Sequence, residues 1–523
     1  MTLLRAVATV SGLTLVSRVL GLARDMIIAA LLGAGPVADA FFVAFKLPNF
    51  FRRLFAEGAF NAGFVPLFAE RLTQDGPGAA RAFAERALAV LLPVLLVFVT
   101  LMQIAMPAVM MLLAPGFVDD PDRFDLAVAF ARLTFPYLLF ISLVSLLGGV
   151  LNAVDRFAAV AATPIVLNLC LIGGVTVLAS FFPTAGHGLS LAVAIAGMAQ
   201  FAWLLAACRR AGYGLRLRRP SLHPEVKRLW RLVLPAALGA GVFQIGLMID
   251  VVLASLLPTG AVSYLFYADR LNQMPVGIVG VAVGTALLPR LSRQIAAGAA
   301  ADANASINRA VELCLLLTVP AAVALIVVPL PIVATLFQRG AFGADASAAT
   351  AAALIGFAVG IPAYVLVKVL GPGYFARQDT RTPVRIALTA LALNIVLAVA
   401  LLPVLAHVGL ALATALAAWL NAGLLAAGLL RRGHWTIDAR LRRSVLGMAV
   451  ASVGLALLLW GVAAALAGLF TGGLAARIAA LALLVLAGLA GYGVLAQLAG
   501  AVDWREMPRL LRRPASRSAL RRT

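Results

Sequence analysis

Apolar runs of about twenty residues or more follow one another from the first residues to near position 500, separated by short polar loops. No run alternates apolar and polar positions with a period of two, so each reads as a membrane-crossing helix and not as a barrel strand. The pattern predicts an all-α integral membrane protein of fourteen transmembrane helices. They lie near 5–32, 37–68, 84–113, 124–152, 157–182, 187–208, 229–257, 261–289, 307–337, 346–375, 382–404, 407–430, 444–469 and 473–500. Loops 209–231 and 431–443 and the 501–523 tail are rich in Arg. The alternate loops ("GAGP", "LPTG", "LAHVG", "FTGG") are nearly free of bases, and one, "PGFVDDPDRFD", is acidic. Cytoplasmic loops carry the excess of Lys and Arg, so both termini are expected on the cytoplasmic side.

The chain also resembles itself. "LLGAGPVADAFFVAFKLPN" (31–49) aligns with "LLPTGAVSYLFYADRLNQ" (256–273), and Lys46 then meets Arg270. Residues 146–169 align with 369–394, and 188–197 with 409–418. Two six-helix lobes are expected, 1–220 and 221–435, in the same orientation. Residues 436–500 supply two further helices, and 501–523 form a basic cytoplasmic tail. Two-lobed transporters bind substrate between their lobes near the bilayer midplane.

Composition narrows this picture. The chain of 523 residues is 63% hydrophobic, with a mean hydropathy of +1.03, far above a soluble domain. The formal charge of +21 falls mainly in loops and tail, as membrane topology demands, and does not point to nucleic acid. Cys170, Cys208 and Cys314 show no paired spacing, so neither a disulfide framework nor a zinc site is expected. No metal, Walker or hydrolase motif is present. Arg5 precedes an apolar run that Arg18 interrupts, which reads as a retained first helix and not as a cleaved signal peptide.

The informative residues are the charges inside the helices, since each costs ~2.5–3.5 kcal/mol at bilayer depth. The first helix carries Arg18 about 20 Å along its axis, near the midplane, with Arg24 and Asp25 farther out. Arg18 and Asp25 share a face, and Gly21 close by leaves room for a ligand or a neighbouring helix. The second helix sets Asp39, Lys46, Arg53 and Glu57 on one stripe, with Pro48 expected to kink it and re-aim Arg52. The eighth brings Asp269 and Arg270 about three turns in from the outer face. Such groups either pair between helices, as Arg53 and Glu57 are spaced to do, or line a wet cavity. Arg18, Arg24, Lys46, Arg52, Arg53 and Arg270 face only Asp25, Asp39, Glu57 and Asp269, an excess of cation that favours an anionic, phosphate-bearing substrate.

Asp250, Asp379 and Asn394 are candidates for a Na⁺ or H⁺ coupling site, with helix pairing as the other reading. Lys368 and Glu312 are lateral pairing charges or cavity residues, and the four histidines, in or next to loops, read as solvated.

"SRVLGLARD", "DAFFVAFKLPNFFRRLFAEGAFNAGFVP" and "YADRLNQMPVGIVGVAVGTALLPRLS" resemble the bacterial lipid II flippases, the MurJ (MviN) family of the multidrug/oligosaccharidyl-lipid/polysaccharide exporter superfamily. The resemblance runs over the whole chain. It implies a transporter of the cytoplasmic (inner) membrane and not an enzyme. It would move undecaprenyl-pyrophosphate-linked disaccharide pentapeptide to the outer leaflet for peptidoglycan synthesis, by alternating access. The matching cavity positions are Arg18, Arg24, Asp25, Asp39, Arg52, Glu57 and Arg270, with Arg24, Asp25 and Arg270 beside the pyrophosphate. The two extra helices would form a groove for the lipid tail. Na⁺ in some members makes Asp250 and Asp379 relevant. Gln273 departs from relatives that carry an acidic residue there. Rival expectations are a flippase for another polyprenyl-linked glycan, a cation-coupled drug antiporter, and a scaffold whose charges only pair helices.

Overall fold

A computed structural model describes residues 3–53, 60–221 and 223–502 of the chain. Among these, every regular element is helical. The chain packs as two compact units. One runs to Tyr267 and takes in Phe337–Ala346; the other comprises Ala268–Leu336 and the chain from Ser347 onward.

The first unit contains α1 (Leu3–Leu32), α2 (Pro36–Phe51), α3 (Phe60–Gln74), α4 (Gly76–Ile104), α5 (Met106–Leu113), α6 (Pro121–Thr134), α7 (Tyr137–Ala153), α8 (Phe157–Thr176), α9 (Ala185–Arg210) and α10 (Pro224–Ser255). It also holds the first turns of α11 (Ala261–Ala296). Helix α1 lies on α8, α8 on α9, and α2 on α6.

The turn between α1 and α2 shows why a distant segment joins this unit. The Ala341 N–H donates to the Ala30 carbonyl at 2.8 Å. Gly33 (φ 67°) and Gly340 (φ 55°) sit at that contact, and a Cβ on Gly340 would lie 2.2 Å from the Ala30 oxygen. Only glycine combines the left-handed backbone with so close an approach. The Tyr267 hydroxyl reaches the Gly33 carbonyl at 3.3 Å, and its ring meets Phe337 and Phe342.

Helix α10 is tied into the same unit. Gly63 on α3 admits Leu229, Leu232 and Val233, each within 3.0–3.4 Å of where a Cβ would stand. Glu225 at the start of α10 pairs with Arg71 at 2.9 Å and Arg86 at 2.8 Å. The preceding linker is strapped to α4: Glu85, 2% exposed, accepts from the Arg216 N–H, Arg218 Nε and Arg81 Nε.

The second unit continues α11 and adds α12 (Ala300–Val327), α13 (Pro329–Phe337), α14 (Ala344–Ala358), α15 (Ile361–Phe375), α16 (Arg381–Arg431), α17 (Ala439–Ala465), α18 (Ala467–Phe470) and α19 (Leu474–Leu498). Helix α16 covers two predicted spans. It breaks after Pro403, at Ala406 (φ 47°, ψ −127°), inside the expected "LAHVG" loop. Helix α17 packs on both α12 and α19, around Met448, Leu455, Leu459 and Leu484, with Val328 just past the end of α12. The other face of α17 presents Leu446, Val450, Val453, Leu457 and Trp460, each 64–68% exposed. A continuous apolar stripe of this kind suits lipid and not water.

Among the described residues, nine helical stretches are long and apolar enough to cross a membrane by length and composition; the count of fourteen rests on the sequence. Some of the positions that the aligned segments pair share a backbone conformation. Asp155 (φ 58°) and Gln378 (φ 60°) occupy positions that the 146–169 and 369–394 alignment pairs. Gly212 and Gly433 close α9 and α16 with the same left-handed turn, the next N–H donating at 2.9 Å to Cys208 and to Leu429. The compact units nevertheless do not divide at residue 220. The α10 ties and the Tyr267 contacts draw part of the second repeat into the first unit.

Candidate functional site

Helix α1 has no Pro and few β-branched residues near its charged centre, and it carries Arg24 and Asp25 into the protein interior. Arg24 is 7% exposed and Asp25 3%. A buried guanidinium is stable only when paired and hydrogen-bonded. Arg24 Nε and Nη2 both donate to Asp25 Oδ1, at 2.9 and 2.7 Å. Its Nη1 donates to Asn168 Oδ1 on α8 at 2.8 Å. The Asn168 amide then donates to the Ser17 carbonyl at 2.9 Å. Gly21 faces this amide, 3.7 Å from where a Cβ would sit. Asp25 thus pairs with its neighbour Arg24 on the same helix. Arg18 is exposed on α1.

Asp39 departs from the expected cavity lining. It is 0% exposed, and its carboxylate accepts four hydrogen bonds: from Arg123 Nη2 and the Gly260 N–H at 2.7 Å, the Ser263 N–H at 2.9 Å and the Ser263 hydroxyl at 2.6 Å. The donors at 260 and 263 are orphan N–H groups at the start of α11, where a negative charge is favoured. Arg123, at the start of α6, is 3% exposed and stacks 3.7 Å from the centre of the Phe117 ring. In this conformation Asp39 is a structural tie between α2, α6 and α11.

The rest of the second-helix stripe is less enclosed. Lys46 and Arg52 are half-buried and Arg53 is exposed. Arg52 Nε donates to Asn49 Oδ1 at 3.2 Å. Helix α2 ends at Phe51, three residues after Pro48, and Arg52 and Arg53 continue in a wider π-type turn. Glu57 lies outside the described residues, so its expected pairing with Arg53 goes with it.

Asp269 and Arg270 belong to the second unit and are half-buried on α11. Gln273, one turn on, donates its amide to Asp269 Oδ1 at 3.3 Å. The neutral residue at this departure from the family is therefore a hydrogen-bond donor to the acidic one.

The candidate coupling-cation residues fall in both units, Asp250 in the first and Asp379 and Asn394 in the second. Asp379 lies in the turn before α16, where Arg432 Nη1 reaches it at 2.7 Å and the Thr382 N–H at 3.0 Å. The bonds from Thr382 and from Arg432 hold its carboxyl below the usual range. Asn394 is buried in α16, roughly 20 Å farther along the helix axis. Asp250 is half-buried on α10 in the first unit. Among the described residues no cluster of His, Cys, Asp and Glu suited to a metal ion occurs.

Sequence reasoning missed Asn168 and Arg123, the two residues that satisfy the buried charges. A lone Asn in the apolar run "TPIVLNLCLIGG" is the signal for the first. Arg123 stands inside an acidic loop segment, which hid it as local compensation.

The family model described as "Lipid II flippase MurJ" matches residues 28–495. A Rhizobium meliloti (strain 1021) protein named "Probable lipid II flippase MurJ" is 46% identical over 466 residues, covering 87% of this chain and 86% of that protein. A Rhizobium tropici protein of the same name is 43% identical over 519 residues, covering 98% and 97%. Among solved structures, "Lipid II flippase MurJ, inward closed conformation" superposes with a TM-score of 0.78 at 24% identity, covering 96% of this chain and 99% of that one. An inward-facing multidrug resistance MATE family transporter of the MOP superfamily gives 0.66 at 16% identity, covering 80% and 94%. Both show the same fold. This chain belongs to the lipid II flippase MurJ family, multi-pass inner-membrane transporters and not enzymes.

Proposed function

We propose that this protein carries lipid II from the cytoplasmic to the outer leaflet of the bacterial inner membrane, for peptidoglycan synthesis, with both termini cytoplasmic. The observation that supports it most is the Arg24 guanidinium, held within a membrane helix by Asp25 and Asn168. A pyrophosphate leaving water loses its hydration, and Arg replaces it with paired, directional N–H donors. Arg18, Arg24, Arg52 and Arg53 supply cationic groups in the first unit, with Asp25 and Glu57 tuning them, and Arg270 with Asp269 supplies its own in the second, while the polyprenyl tail stays in lipid or beside α17 and α19.

Transport proceeds by alternating access of the two sequence-repeat lobes. The Asp39 tie joins α2 of the first repeat to the start of α11 in the second, so it belongs to one end state and opens in the other. Na⁺, H⁺ or the membrane potential drives the return. Moving a net charge through the potential is worth ~2.3 kcal/mol per 100 mV, so a cationic cavity that moves with the lobes is itself voltage-sensitive.

The test is reconstitution. Purified protein in liposomes with fluorescent lipid II makes the inner-leaflet label accessible to a membrane-impermeant quencher, and Arg24→Ala abolishes this. Quenching confined to the outer leaflet with the wild-type protein refutes the reading. Equal movement of an unrelated polyprenyl-linked glycan would favour a broader flippase.

A further inference from the structure

The Arg24 group is arranged as an exchange site, and the arrangement depends on a residue outside the charged set. A guanidinium offers five N–H groups in a planar fork and accepts nothing. Here its side edge, Nε with Nη2, is closed by a single oxygen of Asp25, while Nη1 is held by Asn168. Asn168 is 5% exposed and uses both ends of its amide. Its oxygen faces a donor-only group, and its nitrogen faces the Ser17 carbonyl, which only accepts. The orientation is forced by chemistry, and no other side chain of that size offers one acceptor and one donor in this way. Asp would set a carboxylate oxygen against the Ser17 carbonyl, and Leu would leave Nη1 unsatisfied.

Resting on the proposed function, we propose that Asn168 is the positioning residue for Arg24, fixing Nη1 so that the side edge serves one anion at a time. Asp25 occupies that edge in the present conformation. A phosphate oxygen of the lipid-linked substrate takes it when bound, and Asp25 returns when the substrate leaves. The site is thus never an unpaired buried cation, which would be costly at this depth. The Asp25 carboxylate is the resident competitor of the substrate, and Asn168 is neutral so that only one competitor is present.

The charge logic gives signed expectations. Binding of fluorescent lipid II to the purified full chain in nanodiscs is measured at equilibrium, with thermal unfolding midpoints recorded for every variant. Asp25→Asn removes the competitor and tightens binding severalfold. Asn168→Asp adds a second carboxylate to Arg24 and weakens binding about tenfold or more, as expected for a charge-assisted contact. The double variant Asp25→Asn/Asn168→Asp restores one carboxylate and returns affinity toward wild type. Asn168→Leu weakens binding, and Asn168→Gln, which keeps the amide, recovers part of it.

A merely structural Asn168 would lower stability in the Asp variant and give no recovery in the double variant. Should the Leu variant fail to fold, the Asp pair decides the matter. Unchanged or weaker binding by Asp25→Asn, or no recovery in the double variant, overturns the inference while leaving wild-type binding, and so the flippase reading, intact. Absence of binding by the wild-type protein overturns both.

Discussion

Replacing Asp39 by Ala would remove the acceptor for four buried donors at once. Arg123, 3% exposed, would be left as a buried guanidinium without its carboxylate, a change that costs about 3–5 kcal/mol in comparable sites. The Gly260 and Ser263 N–H groups would lose their cap at the start of α11 in the same step. Arg123→Met is milder, because Asp39 keeps three of its four donors, and loss of one charge-assisted bond costs about 1.5–3 kcal/mol. Once Asp39 is gone, Arg123 has nothing to gain, so the double variant should be more stable than the sum of the singles by ~2 kcal/mol or more. Reversible unfolding of the four purified proteins in detergent micelles measures this coupling. Additivity within ~0.5 kcal/mol would mean that the tie carries no energy, and the assignment of Asp39 as a structural carboxylate would be wrong.

Gly340→Ala puts a Cβ against the Ala30 carbonyl at a left-handed backbone position, so it should cost about 1–3 kcal/mol and expose the 337–346 segment to protease. Glu85→Ala frees the linker held by Arg216 and Arg218, and trypsin should cut there faster than in wild type while α4 and α9 stay protected. Burial, followed by the nearby Arg377 and Arg432 charges, lowers the His434 imidazole below its ordinary 6.5. The unfolded chain therefore binds more protons, and the neutral ring's contribution to stability is present above pH 6.5 and lost as pH falls below it. The unfolding midpoint should accordingly drop less between pH 7.5 and 5.5 in His434→Gln than in wild type.

The all-helical, apolar character of the chain was legible because apolar run length is a local property. Even the break in α16 falls inside the loop that "LAHVG" marked. The pairing of the buried charges was not, because their partners are remote: Asn168 stands 144 residues from Arg24, and Arg123 84 from Asp39. Helical phase placed Arg18 and Asp25 on one face, yet it is the adjacent Arg24 that bonds to Asp25. The repeat was visible as aligned segments, and two aligned residues, Asp155 and Gln378, both take a left-handed backbone. The compact units divide elsewhere than the aligned segments do, since Glu225 and Gly63 fasten α10 to α3 and α4 through contacts that a repeat does not encode.

The central claim is that this chain exports lipid II through a site built on Arg24. In a bacterial strain depleted of its own lipid II flippase, lipid II exposed on the outer leaflet is measured after expression of this protein or its Arg24→Ala variant. The wild-type chain should restore both outer-leaflet lipid II and growth, and the variant, present in the membrane at equal level, should restore neither. Restoration by both proteins would contradict the site, and restoration by neither would contradict the function.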